Sequence, residues 1–222
     1  MNPETNQNEN ARALVMMLMR TFSKGVLEDE AGVRATKYVF AARLERLVLP
    51  APKPKALRPD QQIDPATGQG ADRHATLHIP DESVGAVHLH IQLFALADPG
   101  EMEFADRWQV YHGRPGEAHW YSAKVLGAKV RGVVVDGPEV ILYNPLADDE
   151  PRLLRRINAV RGKLPRLFAE VTGMGGVSEA TAVGLDPMGI DLRTRVGVAR
   201  LPMPELAMDV AAAELALTRL GL

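Results

Sequence analysis

Between Ala75 and Tyr143 the chain breaks into short, β-branched apolar segments closed by Pro, Gly or Asp, and such segments bury their faces only by pairing with one another. Ala75–Ile79, Ala86–Phe94, Trp108–His112, Trp120–Leu126, Val130–Val135 and Val140–Tyr143 read as strands. Turn signals separate them at Pro80-Asp81, Asp98-Pro99-Gly100, Gly113-Arg114-Pro115-Gly116 and Asp136-Gly137-Pro138. The expectation is an antiparallel barrel or sandwich, all β through the middle of the chain.

The flanks change character. Ala11–Phe22 carries apolar residues at helical spacing and is predicted as an amphipathic helix docked on a core, its methionines filling gaps. Within Val33–Val48, Ala35–Phe40 reads as strand, while Ala41–Leu49 suits either strand or helix. Residues 50–70 hold five prolines and two glycines, the composition of a long loop. Beyond the β block, Asp148–Pro151 opens a helix whose apolar face is Leu153, Leu154, Ile157 and Val160. Gly162 and Pro165 break it before a second helical stretch, with Leu164, Leu167, Phe168 and Val171, that ends at Gly173. Ala180–Leu185 and Gly189–Arg193 flank Asp186-Pro187-Met188-Gly189, whose Asp, Pro and Gly suit a type I turn, so a hairpin is predicted. Val198–Pro204 reads as an edge strand, and Asp209 as the cap of a last helix stopped by Gly221.

With 222 residues, 46% hydrophobic and 24% charged, the chain has an ordinary globular balance, and its net charge of −2 exerts no general pull on nucleic acid or an anionic membrane. No apolar stretch approaches the length of a membrane helix and the first ten residues lack a signal-peptide pattern, so a cytoplasmic protein is expected. The absence of cysteine excludes disulfides, thiolate metal sites and cysteine nucleophiles, leaving His and oxygen ligands. Charge is segmented: residues 61–150 carry six Lys/Arg against fourteen Asp/Glu, between two basic flanks, and hold all six histidines. There is no phosphate-binding glycine loop, no nucleophile elbow, no His-Glu-x-x-His and no aromatic-basic strand of the RNA-binding kind.

Gly184–Arg193, followed by Arg200-Leu201-Pro202 and preceded by Asn144–Asn158, resembles the small α/β domain that follows the split β-barrel in haem-utilisation proteins and in plastid proteins that bind glutamyl-tRNA reductase. The resemblance covers about a third of the chain. The barrel of that family is related to pyridoxamine-phosphate oxidases, and residues 75–143 are compatible with such a sheet. The resemblance implies an α+β fold: an antiparallel split-barrel-like domain at 1–146, with an N-terminal helix and the Pro-rich 50–70 loop, then a small α/β domain at 147–222. It also implies a homodimer that binds haem or a related tetrapyrrole, with oxidative haem degradation as the associated activity. Two departures stand out. Ala71–Leu77 keeps little of the Ser-x-Leu-Ala-x-His-Thr-x-Asn-Leu segment of flavin-binding members, which disfavours flavin, and no histidine follows His119, where some haem-degrading members place their iron ligand.

The residues themselves offer several sites. His88 and His90 share one face of a strand, where two imidazoles can hold a metal or flank a flat ligand. With His119 they resemble the metal motifs of cupin barrels, although the glutamate a cupin places after His-x-His is missing. His112, Arg114 and His119, beside Trp108, Trp120 and Tyr121, combine aromatic walls, a guanidinium and imidazoles suited to a flat, carboxylate-bearing ligand. His74 and His78, four apart and off any helix, read as ordinary sheet residues. Arg152, Arg155, Arg156, Arg161, Lys163 and Arg166 form a basic run that suits a solvated face or an acidic partner, and Asp186 and Asp191 read as turn and strand residues. Three readings stand: a tetrapyrrole-binding protein held by His88, His112, Arg114, His119 and Trp120; a binding or regulatory module without cofactor chemistry; and a cupin-like metal enzyme using His88, His90 and His119.

Overall fold

The computed structural model describes residues 3–41, 46–52, 73–81, 83, 85–96, 102–115, 119–141 and 143–222. Most of the Pro-rich 50–70 stretch, the turn at 98–100 and half of the ambiguous 41–49 stretch lie outside the described residues. The chain divides into two compact units, one of residues 1–109 and 113–142, the other of residues 110–112 and 143–222.

The first unit is built on one antiparallel sheet. Its strands are β1 (Lys24–Asp29), β2 (Gly32–Lys37), β3 (Val39–Ala41), β4 (Arg46–Ala51), β5 (Arg73–Ile79), β6 (Val87–Ala95), β7 (His119–Val130) and β8 (Val133–Asp136), in the order β2-β1-β5-β6-β7-β4-β3 with β8 also on β7. The sheet curls into the half-barrel of a split β-barrel: the Thr36 hydroxyl on β2 donates to the Pro50 carbonyl on β4 at 3.4 Å, across strands far apart in the sheet order. Helix α1 (Pro3–Thr21) lays Ala11, Val15 and Met19 into the same core as Leu27, Leu77, Leu89 and Ile91, and the Tyr38 hydroxyl donates to the Met19 carbonyl at 3.0 Å. Because strand side chains alternate, the inward Ala75, Leu77, Ile79, Leu89 and Ile91 turn His74, His78, His88 and His90 to the opposite face.

Three expected strands fold otherwise. Trp108–His112 belongs to helix α2 (Met102–His112), because Ala105, Trp108 and Tyr111 bury one helical stripe that a five-residue window does not show. Val130–Val135 contains a tight turn at Arg131-Gly132, with φ of 49° and 84°, the two left-handed residues a two-residue hairpin demands. Val140 ends a one-turn helix, α3 (Gly137–Val140), with Pro138 in its first turn, so the expected strand is absent at the described Val140, Ile141 and Tyr143. The expected Ala35–Phe40 strand falls across β2 and β3, the sheet begins before it, at Lys24, and the middle of the chain is not all β.

In the second unit, α4 (Glu150–Ala159), a 3-10 turn (Arg161–Lys163), α5 (Leu164–Thr172) and α6 (Val210–Arg219) accompany a sheet ordered β11-β10-β9, from β9 (Ala180–Asp186), β10 (Gly189–Thr194) and β11 (Gly197–Pro202). Leu153, Ile157, Leu164, Phe168, Leu185, Ile190 and Leu217 share its core. The hairpin, the edge strand and the helix break at Gly162 fall where expected, while Pro165 sits in the first turn of α5. Gly173 ends α5 in the left-handed conformation, φ 69°, and the Asp209 carboxylate caps α6 by accepting from Ala212 N at 2.8 Å.

Candidate functional site

The densest set of chemically able side chains in the first unit lies on the outward face of β5 and β6. The register pairs His78 with His88, so their rings meet edge to face and the two Nδ1 atoms stand 2.7 Å apart. His78 Nε2 lies 3.0 Å from the Glu28 carboxylate on β1. When both rings are neutral this chain fixes the protons: a carboxylate only accepts, so His78 carries its proton on Nε2, and His88 donates its Nδ1 proton to the bare Nδ1 of His78. The Nε2 of His88 is then an unprotonated donor atom. Burial, then the nearby His78 and Lys129, hold the pKa of His88 below the ordinary histidine value, which favours that neutral form. Next along the strands, His74 stacks on His90 with centroids 5.4 Å apart and planes 13° from parallel, and both are exposed.

The register also shows which expected residues come together. His88 pairs with Lys129 and His90 with Gly127, whereas His119 begins the same strand β7. Eight residues separate Gly127 from His119 along β7, roughly 26 Å at strand rise. The His88, His90 and His119 grouping is therefore not assembled, and among the described residues no three His, Asp or Glu side chains gather to hold a metal. Of the flat-ligand grouping, Trp120 packs edge to face on Trp108 at 5.3 Å and Arg114 is exposed in the loop after α2. His88 stands at the other end of β7 from His119 and Trp120. His74 and His78, which read from sequence as ordinary sheet residues, are the true neighbours of the His88-x-His90 pair. Two histidines at even spacing, and so on one face, in each of two adjacent strands are the signal that could have found them.

In the second unit the motif carrying the family resemblance is accounted for by packing. Arg200 is 7% exposed and donates to both Asp186 and Asp191, the latter at 2.7 Å, while the Tyr111 hydroxyl donates to Asp191 at 3.0 Å. Asp186 also accepts from Met188 N at 2.8 Å, the bond that closes the hairpin turn. Gly184 makes room for Tyr111, since a Cβ there would lie 1.6 Å from its hydroxyl oxygen. Gly184→Ala is accordingly expected to cost about 1–3 kcal/mol by overpacking. A chemical denaturation cycle checks it: the cost should shrink in a Tyr111→Ala background, and an equal cost in both backgrounds rejects the clash. Three members of the basic run are engaged within the unit: Arg152 pairs with Asp149 and Glu214, Arg156 reaches Thr218 and the Leu222 carbonyl, and Arg166 pairs with Glu170.

No family model matches the chain, and no curated protein matches it. Among solved structures, its fold is similar to that of the protein Atu2129, of unknown function, from Agrobacterium tumefaciens str. C58, at 17% identity and TM-score 0.71, over 99% of this chain and 97% of the other. The two share a fold over their lengths. A Listeria innocua protein provisionally called a pyridoxamine 5′-phosphate oxidase is matched over 55% of this chain and 97% of its own, at 13% identity and TM-score 0.36. Among the described residues, no helix is long and apolar enough to cross a membrane.

Proposed function

We propose that the protein binds haem or a related tetrapyrrole on the outward β5–β6 face, as a homodimer of the haem-utilisation kind that its Gly184–Arg193 motif resembles. One observation carries the reading: the exposed His90 imidazole, braced by the stacked His74, on a face with two more imidazoles behind it. Haem would supply an iron that a neutral imidazole nitrogen can hold, and in a chain without cysteine this donor set fits that need. His90 would hold the iron. The role of His74 is to fix the ring of His90, and that of His78, itself held by Glu28, is to orient His88 beside it.

The test is a haemin titration followed by absorbance on the wild type and on His90→Ala, His88→Ala and His119→Ala. The expected result is saturable one-to-one binding with a Soret shift that His90→Ala abolishes and His119→Ala leaves intact. Absence of a shift at micromolar haemin overturns the reading in favour of a binding module without cofactor chemistry. Light scattering on the saturated sample reads the oligomer, and a monomer there removes the homodimer from the proposal.

A further inference from the structure

The three-stranded sheet of the second unit ends in two edge strands, and the chain treats them differently. The loop Pro187-Met188 is closed by the hydrogen-bonded pair of Asp186 with Gly189, so Leu185 and, past the bulge at Val183, Ala182 turn their backbone groups away from β10. All four groups meet side chains. Ala182 N donates to the Asn158 side-chain oxygen and the Asn158 amide donates back to the Ala182 carbonyl, each at 2.9 Å. Leu185 N donates to the Glu150 carboxylate at 2.8 Å, and the Asn144 amide donates to the Leu185 carbonyl at 3.0 Å. Along β9, side chains thus stand in for a neighbouring strand.

The other edge has no such cover. β11 has β10 as its neighbour and, among the described strands, no other. The two-residue turn Arg195-Val196 makes Thr194 and Gly197 a hydrogen-bonded pair, so Ala199 and Leu201 bond to β10 while Val198 and Arg200 turn their N–H and C=O outward. Among the described residues these four outward groups have no partner. The bare stretch is bounded at both ends. Pro202 has no N–H to leave unpaired, and Val196 donates its N–H to the Thr194 hydroxyl at 3.3 Å, while its side chain is 93% exposed.

We infer that β11 is an interaction edge that pairs with β11 of a second copy, antiparallel about Ala199, making one six-stranded sheet from two second units. In that register Val198 stands opposite the partner's Arg200 and Arg200 opposite the partner's Val198, so four hydrogen bonds use both donors and both acceptors of each edge. The neighbouring registers fail. One sets Val198 against the partner's Pro202, which has no N–H, and the other sets Arg200 against the partner's Val196, whose N–H is already given to Thr194. Pairing about Ala199 instead lays the exposed Val196 against the partner's Pro202, an apolar contact at each end of the ladder. Arg200 adds no bare charge there, because Asp186 and Asp191 hold its guanidinium within each copy. The pairing belongs to the second unit and goes beyond the tetrapyrrole reading, which it does not need. One strand pair buries less than the roughly 1,200 Å² of a stable interface, so the contact is weak and calls for trapping.

The chain has no cysteine, so a single introduced thiol reports on a single contact. Ala199 bonds to β10 and is therefore a non-hydrogen-bonded position towards the partner, where the two Cα atoms would stand about 4.5 Å apart, within disulfide range. In the full chain without haemin, oxidised by diamide, Ala199→Cys should form a disulfide-linked dimer at least about tenfold faster than Leu215→Cys, at an exposed position of α6. Adding Val198→Pro removes one outward N–H and spares the β10 ladder, so the rate should fall to that of the control, with circular dichroism verifying the fold. In the unaltered chain, hydrogen exchange of the Val198 and Arg200 amides should slow as protein concentration is raised. Linking of Ala199→Cys no faster than Leu215→Cys, linking that a folded Val198→Pro variant leaves unchanged, or exchange at both amides that ignores concentration each overturns the inference. A homodimer held by another surface would appear in light scattering while Ala199→Cys stays unlinked, which also overturns it. Since none of these samples contains haemin, every one of these failures leaves the tetrapyrrole reading to its own titration.

Discussion

Arg200→Met should destabilise the second unit by about 3–5 kcal/mol, the penalty for stranding buried carboxylates without their cation. Arg200 is 7% exposed, and the side chains of Asp186 and Asp191 are 6% and 17% exposed. Burial alone would push the guanidinium pKa down, but the two carboxylates overcome it and hold Arg200 above the ordinary arginine value, so the buried guanidinium stays charged. Tyr111 satisfies Asp191 further but brings no charge. The measurement needs a probe inside the unit, because both tryptophans, Trp108 and Trp120, lie in the first one. Hydrogen exchange of the β9 and β10 amides in increasing urea supplies it. Arg219→Met is the control: its pair with Glu205 is half exposed, and losing it should change stability by less than about 1 kcal/mol. Equal effects of the two substitutions would refute the special place given to Arg200.

A second large effect is expected in the first unit, at Asp29. Its side chain is fully buried and accepts from Arg34, from Arg73 and from Ala31 N at 2.8 Å. Burial by itself would raise this carboxyl, but the hydrogen bonds from Arg34, Ala31 N and Arg73 prevail and lower its pKa from 3.8 to about 2. A folded-state pKa below the unfolded one means stability that is present above the unfolded value and lost as pH falls through the folded one. The shift corresponds to about 2 kcal/mol, in place above pH 4 and gone below about pH 2. Asp29→Asn should therefore cost about 2 kcal/mol at pH 7 and flatten the decline in stability between pH 5 and pH 2, read by tryptophan fluorescence in urea. The arrangement also closes one end of the half-barrel: Arg73 donates to the Pro52 carbonyl at 3.1 Å, and the Tyr121 hydroxyl donates to the same oxygen at 3.3 Å. An unchanged pH slope in Asp29→Asn would show that some other carboxylate governs acid unfolding.

Features set within a few residues of chain are legible in the amino-acid sequence itself. The Asp186–Gly189 hairpin turn, the Asp209 cap, the Gly173 stop and the break at Gly162 each follow from the conformational limits of one or two residues, and the folded chain keeps all of them, with Pro165 in the first turn of α5. Helix α2 escapes a local reading for a reason of the same scale. Its apolar stripe, Ala105, Trp108 and Tyr111, shows a helical period over eleven residues but looks like a strand over the last five.

The alternation of strands is enough to place His88 and His90 on one face of the sheet, and the lack of cysteine is enough to restrict any ligand set to His and oxygen. Which histidines meet is a matter of register between strands, and register depends on how whole hydrophobic faces settle against a core. That settling brings His78 to His88 and His74 to His90, and sends His119 to the far end of β7. Arg200 likewise reaches Asp186 and Asp191 through the pairing of three strands, so two carboxylates that read as turn and strand residues become the partners of a buried cation. Backbone preferences are properties of neighbouring residues and can be read along the chain, whereas a cross-strand contact exists only once the burial of two distant faces has chosen which residues stand opposite each other.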